Sequence, residues 1–573
     1  MMSVELEKKS TNTPSVTINE IKFNDGTKVS LRPDDIIVFV GANNVGKSRA
    51  LKDISNDLID NSRSNIIINK IKYATTNFDE KSVRQYFARN FSKNSQESYE
   101  VYVTDNVSHF YTYMDFENIS YQERKFYKVF FNFLSTSNRL NMTLPISYSN
   151  IQDNCSLNIM KKLETDSKSI FKLNEILLSC FNRAIDVSEE KWLNSVSKLY
   201  KFGTKDEIDE TINSDTRSAR KRLEYLENLN EQGDGIRSAV AILASLIANE
   251  SSLYLIDEPE TFLHPPQAKI LGNNIVELSE NKQCFISTHN IDLIRGILEK
   301  KSSRVKIIKI DRTNDTNKFY VLDNESIMRI ANDKNLKYSN ILNGLFYHNV
   351  VLCENESDCK FYSAVLDFLN NNVYQNTLFC AVGGKDQFKV IIPLLQKLKI
   401  NYLIIADLDL IDNKEKLKAL LNSIYDGAYN SIKNAHDMFL KLFEEESYSL
   451  IKKQKAIKQE IFELFNDDEY MSPETAKKIK NILKNVSSLK LLKSNGKASI
   501  PAGVCTEKFD EIINLLNDNN IYVVECGEIE NFIPQIALHS DAWVEEVFRR
   551  YPTMEESVYD DVKFFLKRIF KMQ

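Results

Sequence analysis

Cysteine is scarce in this sequence, and its 8 cysteines are scattered without a single CxxC pair. Secreted domains held together by disulfides are dense in cysteine, and structural zinc sites need closely spaced ligand pairs. The spacing therefore excludes a disulfide framework and disfavours a zinc site. Buried free thiols are the expected state of these residues.

Long apolar runs are also missing, and no stretch of about 18 apolar residues, the length that spans a bilayer, occurs in the chain. The first residues, Met1 to Thr11, are polar and charged and lack the apolar core of a signal peptide. These two absences predict a cytoplasmic protein that has no membrane partner.

Neither sign of charge dominates the composition. The formal net charge of -6 argues against a wholly basic nucleic-acid coat but is compatible with local basic patches. With 42% hydrophobic and 27% charged residues, the chain is expected to fold into a globular protein. Since single hydrophobic cores stop growing at roughly 250 to 300 residues, the length of 573 residues predicts two or more domains.

A short run rich in β-branched residues, Asp35–Val40, leads into a loop with the phosphate-binding pattern GxxxxGKS. In such a loop backbone N–H groups converge on phosphates, and Gly41 and Gly46 permit the close approach. Lys47 is predicted to hold the β- and γ-phosphates of ATP, and Ser48 to ligate Mg²⁺. The alternative is a glycine-punctuated turn between a strand and a helix. The loop residues assigned to the nucleotide are Gly41, Asn43, Asn44, Gly46, Lys47 and Ser48.

A second apolar strand, Leu253–Ile256, ends in two adjacent acids, Asp257 and Glu258. This is the form of a Walker B strand, in which the first acid orients hydrated Mg²⁺ and the second polarises the attacking water. A third apolar run, Gln283–Ser287, leads to His289, which stands where a γ-phosphate sensor is expected. Because Asp257 and Glu258 supply the second element of a nucleotide site, the loop Gly41–Ser48 is less well explained as a plain turn between a strand and a helix.

Two glycines, Gly233 and Gly235, open an apolar segment predicted to be helical from Ala239 to Ile247, and glycines at a helix start are another phosphate-binding arrangement. Phosphate loop, glycine-rich signature, Asp-Glu strand and histidine occur in an order that resembles the ABC-type ATPase heads of the SMC, RecF and OLD proteins. That resemblance implies ATP bound between two heads, and hence a homodimer or a higher homo-oligomer. Gln232 departs from the serine usual in this signature, and Gln152 is a candidate for the glutamine that senses Mg²⁺.

The second half of the chain begins with a further strand, Asn349–Glu354, followed by a turn that contains Asp358 and by a helix. Another strand, Tyr402–Ala406, ends in the pair Asp407 and Asp409. Alternate residues of an extended chain share a face, so we expect both carboxylates at one edge of a parallel sheet. Carboxylate oxygens suit Mg²⁺ or Mn²⁺, whereas zinc prefers histidine or cysteine.

A glutamate followed by a DxD pair, with Gly383 and Gly384 between them, resembles the TOPRIM domain of topoisomerases, primases and OLD nucleases. The resemblance implies a nuclease site in which three acids act catalytically: Glu354, Asp407 and Asp409. Asn355 departs from the glycine usual after the glutamate. Because asparagine tolerates left-handed backbone geometry, we expect the turn to survive.

In OLD nucleases a Gly-x-x-Glu segment supplies a carboxylate ligand to a second metal ion. The segment Gly527–Glu530 resembles it. Glu530 is the first choice for this ligand and Glu528 the second. A lysine after the segment stabilises transition-state charge in the family, and Lys563 or Lys567 lies at a suitable distance along the chain. The predicted metal ligands are Ser48 and Asp257 in the ATPase site, and Glu354, Asp358, Asp407, Asp409, Glu528 and Glu530 in the nuclease site.

These motifs predict an α/β protein with two domains. An ABC-type P-loop ATPase domain over residues 1–340 has a helical lid or dimerisation insertion at about 60–230, and a Rossmann-like TOPRIM domain over residues 341–573 has a helical insertion at about 411–515. Lysines between Lys452 and Lys493 in the second insertion either follow a phosphate backbone or form a solvated helix face. The aromatic segment Tyr86–Phe133 is expected to be core rather than a base-stacking surface.

The whole pattern resembles the OLD family, including the ATPase-nuclease effectors of Gabija-type and retron-associated anti-phage systems. It implies an ATP-binding, divalent-metal-dependent DNA endonuclease gated by nucleotide state, with a defence-system partner such as a reverse transcriptase with its DNA product, or a helicase. The alternative is a non-cleaving, ATP-switched DNA-binding or repair scaffold with a degenerate TOPRIM domain. A topoisomerase or primase is disfavoured, because neither a recognisable cleavage-domain tyrosine nor a zinc ribbon is found.

Overall fold

The computed structural model of the protein divides into two units between Phe346 and Tyr347. The boundary predicted at residue 340 falls at the start of the turn Asn340–Phe346, which ends the first unit. No described helix is long and apolar enough to cross a membrane. The structure describes residues 13–59, 65–91, 93, 98–102, 108–149, 159, 163, 166–192, 195–212, 225–300, 303–313, 316–322, 340–447, 454–465, 472–484 and 488–572.

The first unit mixes strands and helices throughout its described residues. Its described strands are β1 (Ser15–Phe23), β2 (Lys28–Ser30), β3 (Ile36–Val40), β4 (Ile68–Thr76), β5 (Tyr99–Tyr102), β6 (Ser108–Tyr111), β7 (Phe131–Leu134), β8 (Ile146–Ser149), β9 (Ala184–Trp192), β10 (Ser195–Gly203), β11 (Glu227–Asn228), β12 (Leu253–Asp257), β13 (Gln283–Ser287), β14 (Val305–Thr313) and β15 (Thr316–Val321). Its described helices are α1 (Lys47–Ile59), α2 (Glu80–Asn90), α3 (Tyr113–Glu117), α4 (Ile119–Tyr127), α5 (Thr136–Met142), α6 (Ser167–Phe181), α7 (Lys205–Ile212), α8 (Asp234–Ala248), α9 (Pro265–Leu278) and α10 (Ile291–Glu299).

The main sheet of this unit has the strand order β15-β14-β3-β13-β12-β7 and is parallel apart from β15. All residues of β3 and β13 are buried, as expected for central strands covered on both faces. The register sets Ile286 beside Val38 and Asp257 beside Ser287. The carboxyl ends of β3, β12 and β13 therefore lie side by side, which brings the phosphate loop, the two acids and His289 to one edge of the sheet.

The segment expected to form a helical insertion, residues 60–230, contains strands β4 to β11 as well as helices. Strand β7 lies at an edge of the main sheet, so the added elements are not one continuous insertion. Most described rings of the aromatic segment form a buried cluster, as expected, whereas Phe110, Tyr113 and Tyr121 are exposed. The described rings of this cluster include Tyr86, Phe87, Phe91, Tyr99, Tyr111, Phe116, Phe126 and Phe130.

The second unit is built on a four-stranded parallel sheet in the order β17-β16-β18-β19. Together with the main sheet of the first unit, it confirms the predicted α/β fold class. The strands are β16 (Asn349–Cys353), β17 (Thr377–Ala381), β18 (Tyr402–Asp407) and β19 (Ile521–Val524). The described helices are α11 (Glu356–Leu369), α12 (Asn371–Gln375), α13 (Phe388–Lys397), α14 (Lys414–Ile424), α15 (Lys433–Ser447), α16 (Gln454–Phe462), α17 (Pro473–Lys484), α18 (Ser488–Asn495), α19 (Val504–Asp518), α20 (Ser540–Arg550) and α21 (Asp560–Ile569).

Helices α14 to α19 follow β18 and return the chain to β19. The segment at the end of α18 and the loop after β19 contact each other backbone to backbone. A Cβ on Gly496 would lie 2.3 Å from the carbonyl carbon of Cys526, and a Cβ on Gly527 would lie 2.2 Å from the carbonyl oxygen of Lys493. Glycine is therefore required on both sides of the joint. Several lysines of the predicted basic stripe have side chains outside the described residues, and Lys493 is a described member that is exposed.

Candidate functional site

The phosphate loop of the first unit curls around its own lysine. Lys47 is buried, and its Nζ donates hydrogen bonds to the carbonyl oxygens of Gly41, at 3.0 Å, and Ala42, at 2.9 Å. A Cβ on Gly41 would lie 2.3 Å from the carbonyl oxygen of Ile310, so that no side chain fits. Burial lowers the pKa of Lys47. With Ser48 in the first turn of α1, the loop offers a cation, a hydroxyl and a helix N-terminus, which is a donor set that fits the phosphates of ATP.

The two acids after β12 are held in different ways. The Asp257 carboxylate accepts a hydrogen bond from the Ser287 hydroxyl on β13. Glu258 has a left-handed backbone with φ 46°, fixed by donation of its N–H to the carbonyl oxygen of Ser287 at 3.0 Å. His289 Nδ1 lies 3.4 Å from Glu258 Oε1, and this contact lowers the pKa of Glu258 and raises that of His289. Glu258 is thereby kept ionised, as a residue that polarises water must be.

Sequence reasoning assigned no role to Glu260, which lies two residues after Glu258. Its buried Oε1 accepts hydrogen bonds from Thr288 Oγ1 at 2.6 Å and from the N–H of His289 at 3.1 Å. Its Oε2 has no hydrogen-bond partner within the part of the chain that the structure describes, and burial raises its pKa. Glu260 therefore anchors the segment that presents His289.

Arg139, on α5, was also missed, because no motif marks it. The side chain is fully buried, and its guanidinium donates to the carbonyl oxygens of Asp257 at 2.6 Å and Glu258 at 3.1 Å. It also donates to Ser238 Oγ at 2.7 Å and to the Leu134 carbonyl oxygen at 2.6 Å. One arginine thus ties the end of the Walker B strand to the first turns of helix α8.

The glycine-rich signature lies at the start of helix α8, as expected. A Cβ on Gly235 would lie 2.4 Å from the carbonyl oxygen of Phe262, in the loop between β12 and α9, whereas a Cβ on Gly233 would meet nothing within 4 Å. The Gln232 side chain donates to Glu227 Oε2 at 2.7 Å. Gly235 of the signature thus packs on the loop between β12 and α9 of its own chain. Gln152, the candidate Mg²⁺ sensor, lies outside the described residues.

In the second unit, carboxylate oxygens of Glu354, Asp407 and Asp409 lie within 4.8 Å of one another. Glu354 Oε1 also accepts the N–H of Asp407 at 3.2 Å. The reason given for the DxD pair was wrong: the strand ends at Asp407, and Asp409 lies in the 3₁₀ turn Leu408–Asp412, so the two acids are not alternate residues of one strand. The turn nevertheless returns Asp409 to the cluster.

Asp358 plays a separate part from this cluster. It accepts the N–H of Asn355 at 3.0 Å in a capping box that starts α11. Asn355 has φ −131°, an extended backbone open to any residue, so the left-handed geometry expected there is absent and the departure from glycine has no conformational cost. Capping explains the asparagine better than tolerance of a strained turn.

Burial and mutual repulsion raise the pKa of three acids around this edge of the sheet. The pKa of Glu354 is raised to about 7, mainly by burial and in addition by the negative charge of Asp407. Burial likewise raises the pKa of Asp358 to about 7 and that of Asp407 to about 6. An oxygen-only donor set that resists carrying its full negative charge fits a hard divalent cation such as Mg²⁺ or Mn²⁺.

A second cluster of ligand-type side chains comprises Glu528, Glu530 and His539. Glu530 Oε1 accepts the N–H of Ser540 at 2.9 Å and lies 3.6 Å from His539 Nδ1. Both glutamates named from the sequence therefore meet in one place. His539 was missed, because a histidine in a loop nine residues after Glu530 carries no spacing signal.

Two lysines that sequence reasoning did not assign contact the acids. Lys385 pairs with Glu354 and Asp409, and Lys493 lies 3.2 Å from Glu528 Oε2. Lys563, the predicted catalytic lysine, instead donates to Asp560 Oδ1 at 2.9 Å and lies over the ring of Phe368. Phe368 is ten residues along α11 from Asp358, which is about 15 Å of helix, so the structure does not bring Lys563 to the carboxylates.

The raised pKa values predict how the stability of the metal-free protein depends on pH. The folded state keeps protons on Glu354 and Asp407 to a higher pH than the unfolded chain does. The stability that this contributes is full below the unfolded pKa of about 4, and it is lost as the pH rises through about 6 to 7. Thermal unfolding in a chelator should therefore show the wild type losing stability across this window.

The matched comparison is a Glu354→Gln, Asp407→Asn variant, in which neither of these two side chains titrates. The difference in melting temperature, wild type minus variant, should fall from about pH 4 to about pH 7. A difference that stays constant across this range would contradict the assignment of the raised pKa values to these acids.

Two family models match parts of the chain. Residues 158–295 match the family described as "AAA domain, putative AbiEii toxin, Type IV TA system". Residues 345–409 match the family described as "Overcoming lysogenization defect protein-like, TOPRIM domain". The chain joins an AAA-type ATPase domain to an OLD-like TOPRIM domain. The OLD-like TOPRIM match contains Glu354, Asp407 and Asp409 and ends before Glu528 and Glu530.

Curated relatives of this ATPase-TOPRIM chain are similar over part of their length. The Old nuclease of Escherichia phage P2 is 26% identical over 171 residues, which cover 28% of this chain and 28% of that protein. Endonuclease GajA of Bacillus cereus (strain VD045) is 27% identical over 165 residues, which cover 29% of this chain and 27% of that protein. The matched stretches thus span less than a third of the length of either relative. Among solved structures, an SMC head bound to the C-winged helix domain of ScpA matches 54% of this chain and 99% of its own, with 14% identity and a TM-score of 0.34.

Proposed function

We propose that this protein is an ATP-binding, divalent-metal-dependent endonuclease that hydrolyses phosphodiester bonds in DNA. The observation that carries the proposal is the convergence of Glu354, Asp407 and Asp409 at one end of the parallel sheet, beside a second cluster formed by Glu528, Glu530 and His539. A domain that only docked partners has no need of two such clusters. The similarity to the Old nuclease and to endonuclease GajA supports the same activity.

The nuclease chemistry is proposed to take place in residues 341–573. Glu354, Asp407 and Asp409 would hold one Mg²⁺ or Mn²⁺ ion, and Glu528 with Glu530 a second. Such ions supply an activated water and stabilise the leaving 3′-oxygen. The chain's own part is to bring carboxylates from β16, β18 and the segment after β19 to one place, and to keep two lysines among them. Asp358 supports this arrangement by fixing the turn that follows Glu354.

The ATPase chemistry is proposed to take place in residues 1–340. Lys47 and the backbone of the loop would bind the phosphates of ATP, and Ser48 with Asp257 would hold Mg²⁺. Glu258 is placed to polarise the attacking water, and His289 to contact the γ-phosphate. Since Gly235 packs against Phe262 of its own chain while Gly233 is open, we infer that the signature serves the nucleotide of a second copy, in a homodimer or higher homo-oligomer.

The non-cleaving scaffold is the weaker candidate. Its direct support was the asparagine that replaces glycine after Glu354, and Asn355 has an ordinary capping role in the structure. An anti-phage role in the cytoplasm, with cleavage gated by the nucleotide state and with a reverse transcriptase or a helicase as partner, is proposed from the resemblance of the sequence motifs to the OLD family.

The test is cleavage of supercoiled plasmid by the purified protein with Mg²⁺ or with Mn²⁺, each with and without ATP. We expect nicked or linear product that requires the divalent ion and disappears when a chelator is added. Calcium, which binds oxygen ligands with a looser geometry, serves as the control ion. Cleavage that persists in the chelator would refute the metal-dependent mechanism, and absence of cleavage under every nucleotide condition would favour the scaffold.

A further inference from the structure

The side chain of Lys385 contacts two of the carboxylates of the first cluster, those of Glu354 and Asp409. Its Nζ lies 3.6 Å from Glu354 Oε1 and contacts Asp409 Oδ1, and only 12% of its side chain is exposed. These two acids are members of the cluster whose oxygens converge within 4.8 Å. The ammonium group of Lys385 therefore pairs with two of the three carboxylates that a divalent ion would need.

The local chain geometry accounts for this placement. The N–H groups of Gly383 and Gly384 both donate to the carbonyl oxygen of Glu354, at 3.0 and 3.1 Å. Both glycines have positive φ, 77° and 111°, which a side chain would oppose. The turn is thus pinned to the residue that supplies the first carboxylate, and it directs the next residue, Lys385, back over the cluster.

We propose that Lys385 is a built-in competitor of the divalent ion, so that loading of the site exchanges a tethered ammonium group for the metal. The inference rests on the proposed nuclease function and deepens it. A tethered cation competes at a high effective concentration, because it cannot diffuse away. Lys385 consequently weakens metal binding, and it holds together carboxylates that repel one another when no ion is bound.

Lys493 differs from Lys385 in both position and exposure. It lies 3.9 Å from Asp407 Oδ2 and 3.2 Å from Glu528 Oε2, with 46% of its side chain exposed. It therefore sits toward solvent on the side of the second cluster. The competition is assigned to Lys385 because this lysine pairs with two members of the first cluster.

The test is calorimetric titration of the 573-residue chain with Mn²⁺ at about pH 8, where the acids are ionised. Lys385→Met, which removes the charge and keeps most of the length, should bind Mn²⁺ about tenfold more tightly than the wild type. In a chelator its melting temperature should be lower than that of the wild type, and saturating Mn²⁺ should raise it by more. Lys385→Arg, which keeps the charge, should retain the weaker affinity.

The matched control is Lys389→Met, one helical turn further on. Lys389 is 44% exposed and pairs with Asp386 at the surface, so its replacement should leave Mn²⁺ affinity unchanged. If Lys385→Met fails to fold, Lys385→Gln carries the same expectation. Unchanged or weaker Mn²⁺ binding by a folded charge-removing variant would overturn the inference.

The two proposals fail in different ways. A wild type that binds no Mn²⁺ at the acids, judged against an Asp407→Ala, Asp409→Ala variant, would overturn both the nuclease function and the role of Lys385. A wild type that binds Mn²⁺ and cuts DNA, but gains no affinity on loss of Lys385, would overturn the competition alone.

Discussion

Replacing Asp407 and Asp409 together with alanine is expected to abolish DNA cleavage, with a loss of about three orders of magnitude or more. The two acids, with Glu354, place their oxygens within 4.8 Å of one another, and removal of two leaves a single carboxylate to hold the ion. A lone carboxylate binds a hydrated divalent ion weakly. Cleavage of supercoiled plasmid by the wild type and the double variant measures the effect.

The control for this prediction is Asp541→Ala, an exposed acid of the same unit that pairs with Lys360 at the surface. It should cut at the wild-type rate. ATP hydrolysis by the double variant should be close to that of the wild type, because the ATPase motifs lie in the first unit. Metal-dependent cutting that survives loss of both aspartates would rule out this cluster as the nuclease site.

Glu258→Gln is expected to lower the rate of ATP hydrolysis by about 10²- to 10³-fold while ATP still binds. Its carboxylate contacts His289, which keeps it ionised, and the amide of glutamine cannot accept a proton from water. Phosphate release at saturating ATP measures the rate, and binding of a fluorescent ATP analogue measures affinity. The two readouts separate loss of catalysis from loss of binding.

Lys47→Ala completes this comparison, because it removes the cation of the phosphate loop and should lose ATP binding itself. Glu280→Gln, at an exposed position before β13, should behave as the wild type. If Glu258→Gln hydrolysed ATP at the normal rate, the general base would have to be sought elsewhere, and Glu260 would be the first residue to examine.

The sequence was most informative where a motif ends a buried strand. Apolar strands are recognisable by composition, and parallel strands bring their carboxyl ends to one edge of the sheet. That was enough to predict the fold class, and to name acids that the structure groups together, Glu354 with Asp407 and Asp409, and Glu528 with Glu530. The juxtaposition of Asp407 with Asp409 was predicted, but for the wrong reason, because the strand ends at Asp407.

The residues that were missed act over long sequence separations or without a motif. Arg139 reaches Asp257 and Glu258, more than a hundred residues away, and nothing near it in the sequence marks an arginine that will be buried. Lys385 follows two glycines that were noticed only as part of a resemblance. Positions such as these depend on how elements pack, which local patterns do not encode.

The glycine joint between helix α18 and the loop after β19 has a mechanical consequence. Main chain meets main chain at Gly496 and Gly527, with no side chain between them that could absorb a displacement by changing rotamer. Lys493, on α18, also contacts Glu528, the residue after Gly527. A displacement of helix α18 would therefore also move the segment that carries Glu528 and Glu530, because no side chain between the two backbones can absorb it.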